Sequence, residues 1–317
     1  MTGIIEIKGL TKRYGARIAV DELDLTVADG DIYGFVGPNG AGKTSTIRIL
    51  CTLLEANGGE AWVDGHSVTD APREVRRVIG YMPDFFGVYD DMMVWEYLDF
   101  FGACYGIDPN ERARLVDDLL ELVDLGHRKD DFVEGLSRGM KQRLSLARTL
   151  VHDPKILVLD EPASGLDPRA RVEIRELLIE LAKLGKTIFF STHILADVAQ
   201  ICTRVGIIED GKLIAAGGIE ELREIVMPSR EVRMTALNDR AAIEQLLAGR
   251  ESVSGIRFPN DSETGRTRVD FAFSGDEAAL AELVSTLVSG GLRPIRLNEE
   301  GHDLEEVFMR ITKGLSG

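Results

Sequence analysis

Eight residues, Gly37-Pro38-Asn39-Gly40-Ala41-Gly42-Lys43-Thr44, constrain this chain more than any other stretch. They fit the phosphate-loop pattern G-x-x-x-x-G-K-[ST] at every fixed position. The spacing has a physical reason. Glycines let the backbone curl until several N–H groups point at one phosphate chain. Lys43 sends a compact positive charge toward the β- and γ-phosphates, and the Thr44 hydroxyl can ligate Mg2+. The flanks agree with this reading. Ile32-Tyr33-Gly34-Phe35-Val36 is a short apolar run that predicts a buried strand. Thr44 to Leu50 predicts a helix whose N-terminus faces the anion. The plain alternative is a glycine turn carrying a surface lysine.

The 317 residues predict two domains, and an apolar share of 44% is enough to build their cores. A net charge of −16 disfavours a polyanion as partner. Cys51, Cys104 and Cys202 have no paired or metal-like spacing, which predicts reduced thiols in a cytosolic protein. Met1 is followed by no apolar segment, so no signal peptide is expected. The longest apolar runs, such as Ile156–Leu159 and Thr187–Phe190, fall far short of the ~20 residues that cross a bilayer. Any membrane part must come from a partner.

Along the chain, Ile4–Ile7 and Asp24–Val27 read as strands, and Asp29-Gly30 is a hairpin signal. Lys12-Arg13-Tyr14-Gly15 reads as a polar turn whose aromatic can stack on a base. Leu53 to Gly80 holds another strand pair and a short helix. Nine of the twenty aromatic residues then fall between Tyr81 and Tyr105, among them Phe85, Phe86, Tyr89, Trp95, Phe100 and Phe101. Such a cluster either fills a core or forms a docking groove for a partner helix. Val94–Cys104 and residues 110–124 read as helices. Ser137 is a good N-cap for the helix that follows; alone it is only a helix start.

Ile156-Leu157-Val158-Leu159 is a buried strand with Asp160 and Glu161 at its C-terminal end, where parallel sheets bind ligands. Asp160 can hold Mg2+ there. Glu161 can polarise a water for attack on a γ-phosphate. Without the upstream loop the pair would be an acidic turn closed by Pro162. Ser164 to Pro168 is a tight turn before a helix over Arg169–Leu184. Thr187 to Thr192 is again a strand, ending on His193. His66, His127, His152 and His302 lack such a setting and are assigned nothing. After about residue 220, Met227-Pro228-Ser229 breaks the chain. The order βαββαβ follows, ending in a helix over Asp303–Ile311, and predicts a small ferredoxin-like α+β domain. It carries no cluster of catalytic residue types and reads as a regulatory or docking domain.

Five separated motifs in one order resemble the ATP-binding cassette family over roughly residues 3–220. Gly37 to Ser45 is similar to its Walker A loop, and Leu136 to Gln142 (LSRGMKQ) to its signature motif. Ile156 to Glu161 is similar to Walker B, Ser164 to Asp167 to the D-loop, and His193 to the H-loop. The resemblance implies a P-loop α/β cassette over residues 1–220, with an antiparallel β subdomain and a helical subdomain. The α+β domain then spans 221–317. Two cassettes would pair head to tail across ATP. Lys43, Thr44 and Asp160 would handle phosphates and Mg2+ from one side, with Tyr14 stacked on adenine. Ser137 and Gly139 would meet the γ-phosphate from the other. Glu161 would be the general base, His193 would brace the γ-phosphate and water, and Asp167 would link the half-sites. Motion would pass to a separate membrane permease through the groove near residues 81–101. The protein would sit in the cytoplasm, peripheral on the inner face of the cell membrane. The ending Asp303 to Phe308 is similar to the tails of the type-2 exporter branch, which includes drug-resistance and gliding-motility systems.

Two positions depart from the family pattern. Asp84 stands where many members have a glutamine that ligates Mg2+. It is shorter and charged, and still able to ligate the metal. Arg138 replaces the first glycine of the signature pair, and either reaches the partner's phosphates or points to solvent. Competing functions fit less well. Translation-type soluble cassettes carry two cassettes per chain, and repair-type ones insert long coiled coils. Acidity disfavours nucleic acid. A phosphate-loop kinase would not need the Ser137 and His193 motifs.

Overall fold

The computed structural model describes residues 3–300 except 86, 88, 90, 220, 223–229 and 260–264. The expected final helix over Asp303–Ile311, the exporter-like tail, Phe86, the break at 227–229 and the middle of the turn 259–266 lie outside the described residues. Two compact units divide the chain, Met1–Ile219 and Glu220–Gly317.

In chain order the first unit runs β1 (Ile5–Tyr14), β2 (Arg17–Val27), β3 (Ile32–Val36), α1 (Lys43–Leu50), β4 (Gly58–Val63), β5 (His66–Ser67), α2 (Pro72–Val78) and β6 (Ile79–Met82). Then come α3 (Val94–Cys104), α4 (Pro109–Leu122), α5 (Arg138–Leu150), β7 (Ile156–Asp160), α6 (Pro168–Lys183), β8 (Thr187–Thr192), α7 (Leu195–Ile201), β9 (Arg204–Glu209) and β10 (Lys212–Gly218). The strands form a four-stranded antiparallel sheet, order β2-β1-β4-β5, and a six-stranded sheet, order β10-β9-β3-β8-β7-β6. From β9 to β6 every neighbour is parallel, and β10 closes the edge antiparallel to β9. Every residue of β3, β7 and β8 is buried, as helices on both faces of a parallel sheet require.

Two local expectations change. Lys12–Tyr14 is strand and not turn: Tyr14 pairs with Arg17, and the reversal takes only Gly15 and Ala16. Asp29-Gly30 makes a turn but no hairpin, because β2 and β3 belong to different sheets.

The second unit runs β11 (Arg230–Ala236), α8 (Arg240–Leu247), β12 (Val253–Arg257), β13 (Thr267–Phe273), α9 (Glu277–Ser289) and β14 (Pro294–Glu300). Its four strands are antiparallel in the order β12-β13-β11-β14. This is the ferredoxin-like arrangement expected of βαββαβ. Each helix starts on an aspartate. Asp239 accepts from Ala242 N, and Asp276 from Ala279 N, both at 2.8 Å. Leu280, Leu283 and Leu287 put one face of α9 into a core with Val232, Met234, Phe271 and Phe273.

Candidate functional site

Three adjacent strands deliver the site. β3, β8 and β7 lie side by side and parallel, so their C-terminal ends share one edge of the sheet. That edge presents Gly37 after β3, His193 after β8, and Asp160 with Glu161 at the end of β7. Between β3 and α1 the phosphate loop turns on glycine. Gly42 has φ 109°, and a Cβ there would come within 2.3 Å of the Ala19 carbonyl oxygen. At Gly37 a Cβ would come within 2.2 Å of the Ile208 carbonyl oxygen. Any side chain at either position would push the loop off its seat. Helix α1 then begins at Lys43, directly after the loop and with no side-chain cap, and a helix start of this kind leaves N–H groups free to meet an anion.

Lys43 is buried, and its Nζ donates to the carbonyls of Gly37 at 2.6 Å and Pro38 at 3.2 Å. The same Nζ lies 3.4 Å from Glu161 Oε1, while Glu161 Oε2 is 2.8 Å from His193 Nδ1. The Glu161 carboxylate is thus held between a lysine and a histidine. Its backbone sits in the left-handed region, at φ 53°. A non-glycine residue there costs on the order of 1–2 kcal/mol. Glu161 N donates to the Ser191 carbonyl at 3.2 Å and to Ser191 Oγ at 3.0 Å, which fixes this turn.

Asp160 is fully buried. Ser191 Oγ donates to its Oδ1 at 2.6 Å, and its Oδ2 has no hydrogen-bond partner among the described residues. Burial raises its pKa. The Ser191 and Thr44 hydroxyls oppose that shift, and the charges of Asp84 and Glu161 add to it. A buried carboxylate oxygen with a free lone pair, next to a hydroxyl, is a hard-oxygen donor set suited to Mg2+.

A cleft of about 510 Å3 collects Tyr14, Asn39, Gly40, Gly42, Lys43, Thr44, Ser45, Asp84, Glu161 and His193. Tyr14 is half exposed on its rim, with its hydroxyl 3.3 Å from Ser45 Oγ. Pro38 and Ala41 shape the loop, Ala41 N donating to the Pro38 carbonyl at 3.2 Å. Three further residues belong here: Ser164, which opens the D-loop stretch, and Arg17 and Ser191, which the sequence did not single out. Arg17 donates to the Gly40 carbonyl at 3.1 Å, Ser164 lines the cleft, and Ser191 positions both carboxylates. Each acts across a sheet or between loops, and no local sequence pattern marks such a contact.

Ser137, Gly139 and Asp167 do not join this cleft. They line a separate depression with Arg138, Gly165 and Leu166. Ser137 caps α5, its Oγ accepting from Met140 N at 3.3 Å. Asp167 caps α6 through Ala170 N at 2.9 Å. At Gly139 a Cβ would meet Ala170 Cβ at 3.2 Å, so a side chain would crowd the starts of the two helices apart. Arg138 is an exposed residue whose side chain turns back on its own chain. Its Nη2 donates to the Ser164 carbonyl at 3.2 Å and its guanidinium lies against Gly165, within its own chain.

The aromatic cluster is divided. Tyr97 is fully buried and packs edge-on to Phe101 at 5.1 Å. Phe101 in turn meets Phe100 at 5.3 Å, and Phe100 meets Tyr89 at 5.7 Å. Phe85, Tyr89 and Phe100 are exposed, at 80%, 54% and 40%. One end of the chain of rings is core and the other is surface.

Comparison with known proteins agrees with this geometry. A family model described as ABC transporter matches residues 20–164. The bacitracin transport ATP-binding protein BcrA of Bacillus licheniformis is 35% identical over 315 residues, 99% of each chain. The daunorubicin/doxorubicin resistance ATP-binding protein DrrA of Streptomyces peucetius is 36% identical, over 98% of this chain and 93% of its own. The Nod factor export ATP-binding protein I of Burkholderia lata is 41% identical, over 97% and 96%. Among solved structures, an ATP-binding subunit of an ABC transporter superposes with a TM-score of 0.63 at 30% identity, covering 70% of this chain and 92% of its own. The cbiO1 protein of Clostridium perfringens, part of the ABC transporter complex cbiONQ, gives 0.64 at 27%, covering 71% and 94%. The chain belongs to the ABC transporter family, as an ATP-binding subunit with ATPase activity.

Proposed function

We propose that two copies of this chain close head to tail over ATP and drive export through a separate membrane permease. One observation carries the reading. Lys43, Glu161 and His193 converge on one cleft, with Asp160 buried beside Glu161 at the end of β7, whereas Ser137, Gly139 and Asp167 line another depression of the same chain. Each set supplies what the other lacks, and a second copy brings the two sets together. In that assembly Tyr14 stacks on adenine, and the loop Gly37–Ser45 cradles the phosphates with Lys43. Ser137 and Gly139 contact the γ-phosphate from across the interface, and Asp167 joins the two half-sites. Glu161 takes the proton of a water whose oxygen attacks the γ-phosphorus as the bond to the β-phosphate breaks. His193 holds that carboxylate and the γ-phosphate in line. Thr44 and Asp160, with Asp84 on the exposed side, would hold Mg2+, which neutralises charge on the phosphate oxygens when bound.

Export is the direction named for the Nod factor export proteins, and that of Burkholderia lata matches along 97% of this chain, C-terminal unit included. No helix among the described residues is long and apolar enough to cross a membrane, so the pathway belongs to the permease. In this reading the rings Phe85, Tyr89 and Phe100 form its docking surface, with the protein peripheral on the inner membrane face; their exposure supports that role. The ferredoxin-like unit serves docking or regulation; no group of metal-ligating side chains occurs among its described residues. Purification from native membranes tests the role. The chain is expected to come with a multi-span membrane protein, and recovery with ribosomes or DNA instead would contradict it.

A further inference from the structure

Arg138 occupies a position where its charge invites a role at a phosphate, yet its side chain turns back on its own chain. The Nη2 donates to the Ser164 carbonyl at 3.2 Å, a charge-assisted contact. The plane of the guanidinium covers Gly165. A Cβ on that glycine would come within 2.4 Å of Nη2, 2.5 Å of Cζ and 2.7 Å of Nη1. Gly165 also has φ +68°, so its conformation and its bare surface both suit glycine. The loop is held at other points as well. Ser164 N donates to the Glu161 carbonyl at 3.0 Å, Arg171 Nε donates to the Leu166 carbonyl at 3.1 Å, and Asp167 caps α6. Ser164 lines the cleft of Lys43 and Glu161, while Gly165, Leu166 and Asp167 line the depression of Ser137 and Gly139. The loop is therefore a wall between the two half-sites, and Arg138 is the strap from the start of α5 across it.

We propose that Arg138 is a positioning residue that locks the loop Ser164–Asp167 to the start of α5. Ser137, Gly139 and Asp167 then meet the second cassette as one rigid surface, in register with Glu161. This rests on the head-to-tail reading above. A guanidinium spent on its own loop does not reach the partner's phosphates. Two arginine-free glycines at the start of α5 would leave the loop without this strap.

A double-substitution cycle tests the strap. Arg138→Gly, Gly165→Ala and the pair are compared by kcat and KM for ATP, at saturating Mg2+. Each single change is expected to lower kcat by about tenfold or more, as misplacement of reacting groups does. KM for ATP should move less than about twofold, because the cleft of Lys43 is untouched. Gly165→Ala should cost less in the Arg138→Gly background, where no guanidinium is displaced and only the strain of its left-handed φ remains. Equal fold-losses in both backgrounds, or an Arg138→Gly protein with wild-type kcat, would overturn the proposal. If Gly165→Ala does not fold, Arg138→Lys decides. Lysine keeps the charge but has no plane to lie on Gly165, so it should fall with Arg138→Gly, and a lysine variant equal to wild type would overturn the strap. Glu161→Gln with Arg138 intact separates the two levels. Its failure to dimerise with ATP would sink the head-to-tail reading. Its dimerisation, alongside independent losses in the cycle, would sink the strap alone.

Discussion

Ser191 ties together the two carboxylates at the end of the neighbouring strand: its hydroxyl donates to Asp160 Oδ1 at 2.6 Å and accepts from Glu161 N at 3.0 Å. One side chain thus opposes the rise that burial gives the Asp160 pKa and holds the left-handed turn that aims the glutamate. Ser191→Ala strips Asp160 of its hydrogen-bond donor while Oδ2 already lacks one. The expected cost is about 1–3 kcal/mol of stability. Turnover should fall with it, because Glu161 N then keeps only the Ser191 carbonyl as its acceptor. Thermal unfolding and ATPase assays check this; a variant with wild-type melting and turnover would contradict it.

Asp84 faces Asp160 from the exposed rim of the cleft, and its charge pushes the Asp160 proton affinity upward. Asp84→Gln keeps an oxygen ligand but removes that charge. If Asp84 helps to hold the metal, the Mg2+ concentration for half-maximal ATPase should shift by about tenfold. A Mg2+ titration superimposable on the wild type would remove Asp84 from the metal set.

His152 supplies a pH dependence away from the site. Its Nε2 donates to the Ile79 carbonyl at 2.9 Å, and its ring stacks on Tyr105 with centroids 4.1 Å apart. Burial lowers its pKa below the ordinary 6.5. The unfolded chain therefore binds the proton more readily than the folded one. Stability from the neutral ring is present above pH 6.5 and is lost as pH falls through the folded value. Denaturant unfolding at a series of pH values should show this loss on acidification, and His152→Phe should remove the histidine-specific part. An unchanged pH slope in the variant would contradict the assignment.

Much of this architecture is legible in the sequence, for reasons visible in particular residues. β3, β7 and β8 are apolar at nearly every position because both their faces are covered, and their polar tips then point to the site. Ser137 and Asp167 announce helix starts by capping chemistry that is local. The misreadings are of signals that local chemistry leaves open. Asp29-Gly30 has the residues of a hairpin turn, but whether the next strand pairs back or joins another sheet is decided by tertiary packing. Lys12 and Arg13 are charged and so read as turn, yet past the last pairing of β1 with β4, where only β2 continues the ladder, such side chains are ordinary strand residues. Ser191 and Arg138 act through contacts to residues 31 and 26 positions away, so their roles required the fold.

A second copy completes the ATP site in the proposed function, and Glu161→Gln tests that most directly. The neutral amide keeps the size of the side chain but cannot take the proton from water, so ATP should bind and persist. Light scattering after gel filtration with ATP and Mg2+ should then show a species of twice the chain's mass, reverting to one chain when nucleotide is removed. A variant that remains a single chain at saturating ATP, or that turns ATP over at the wild-type rate, would contradict the account.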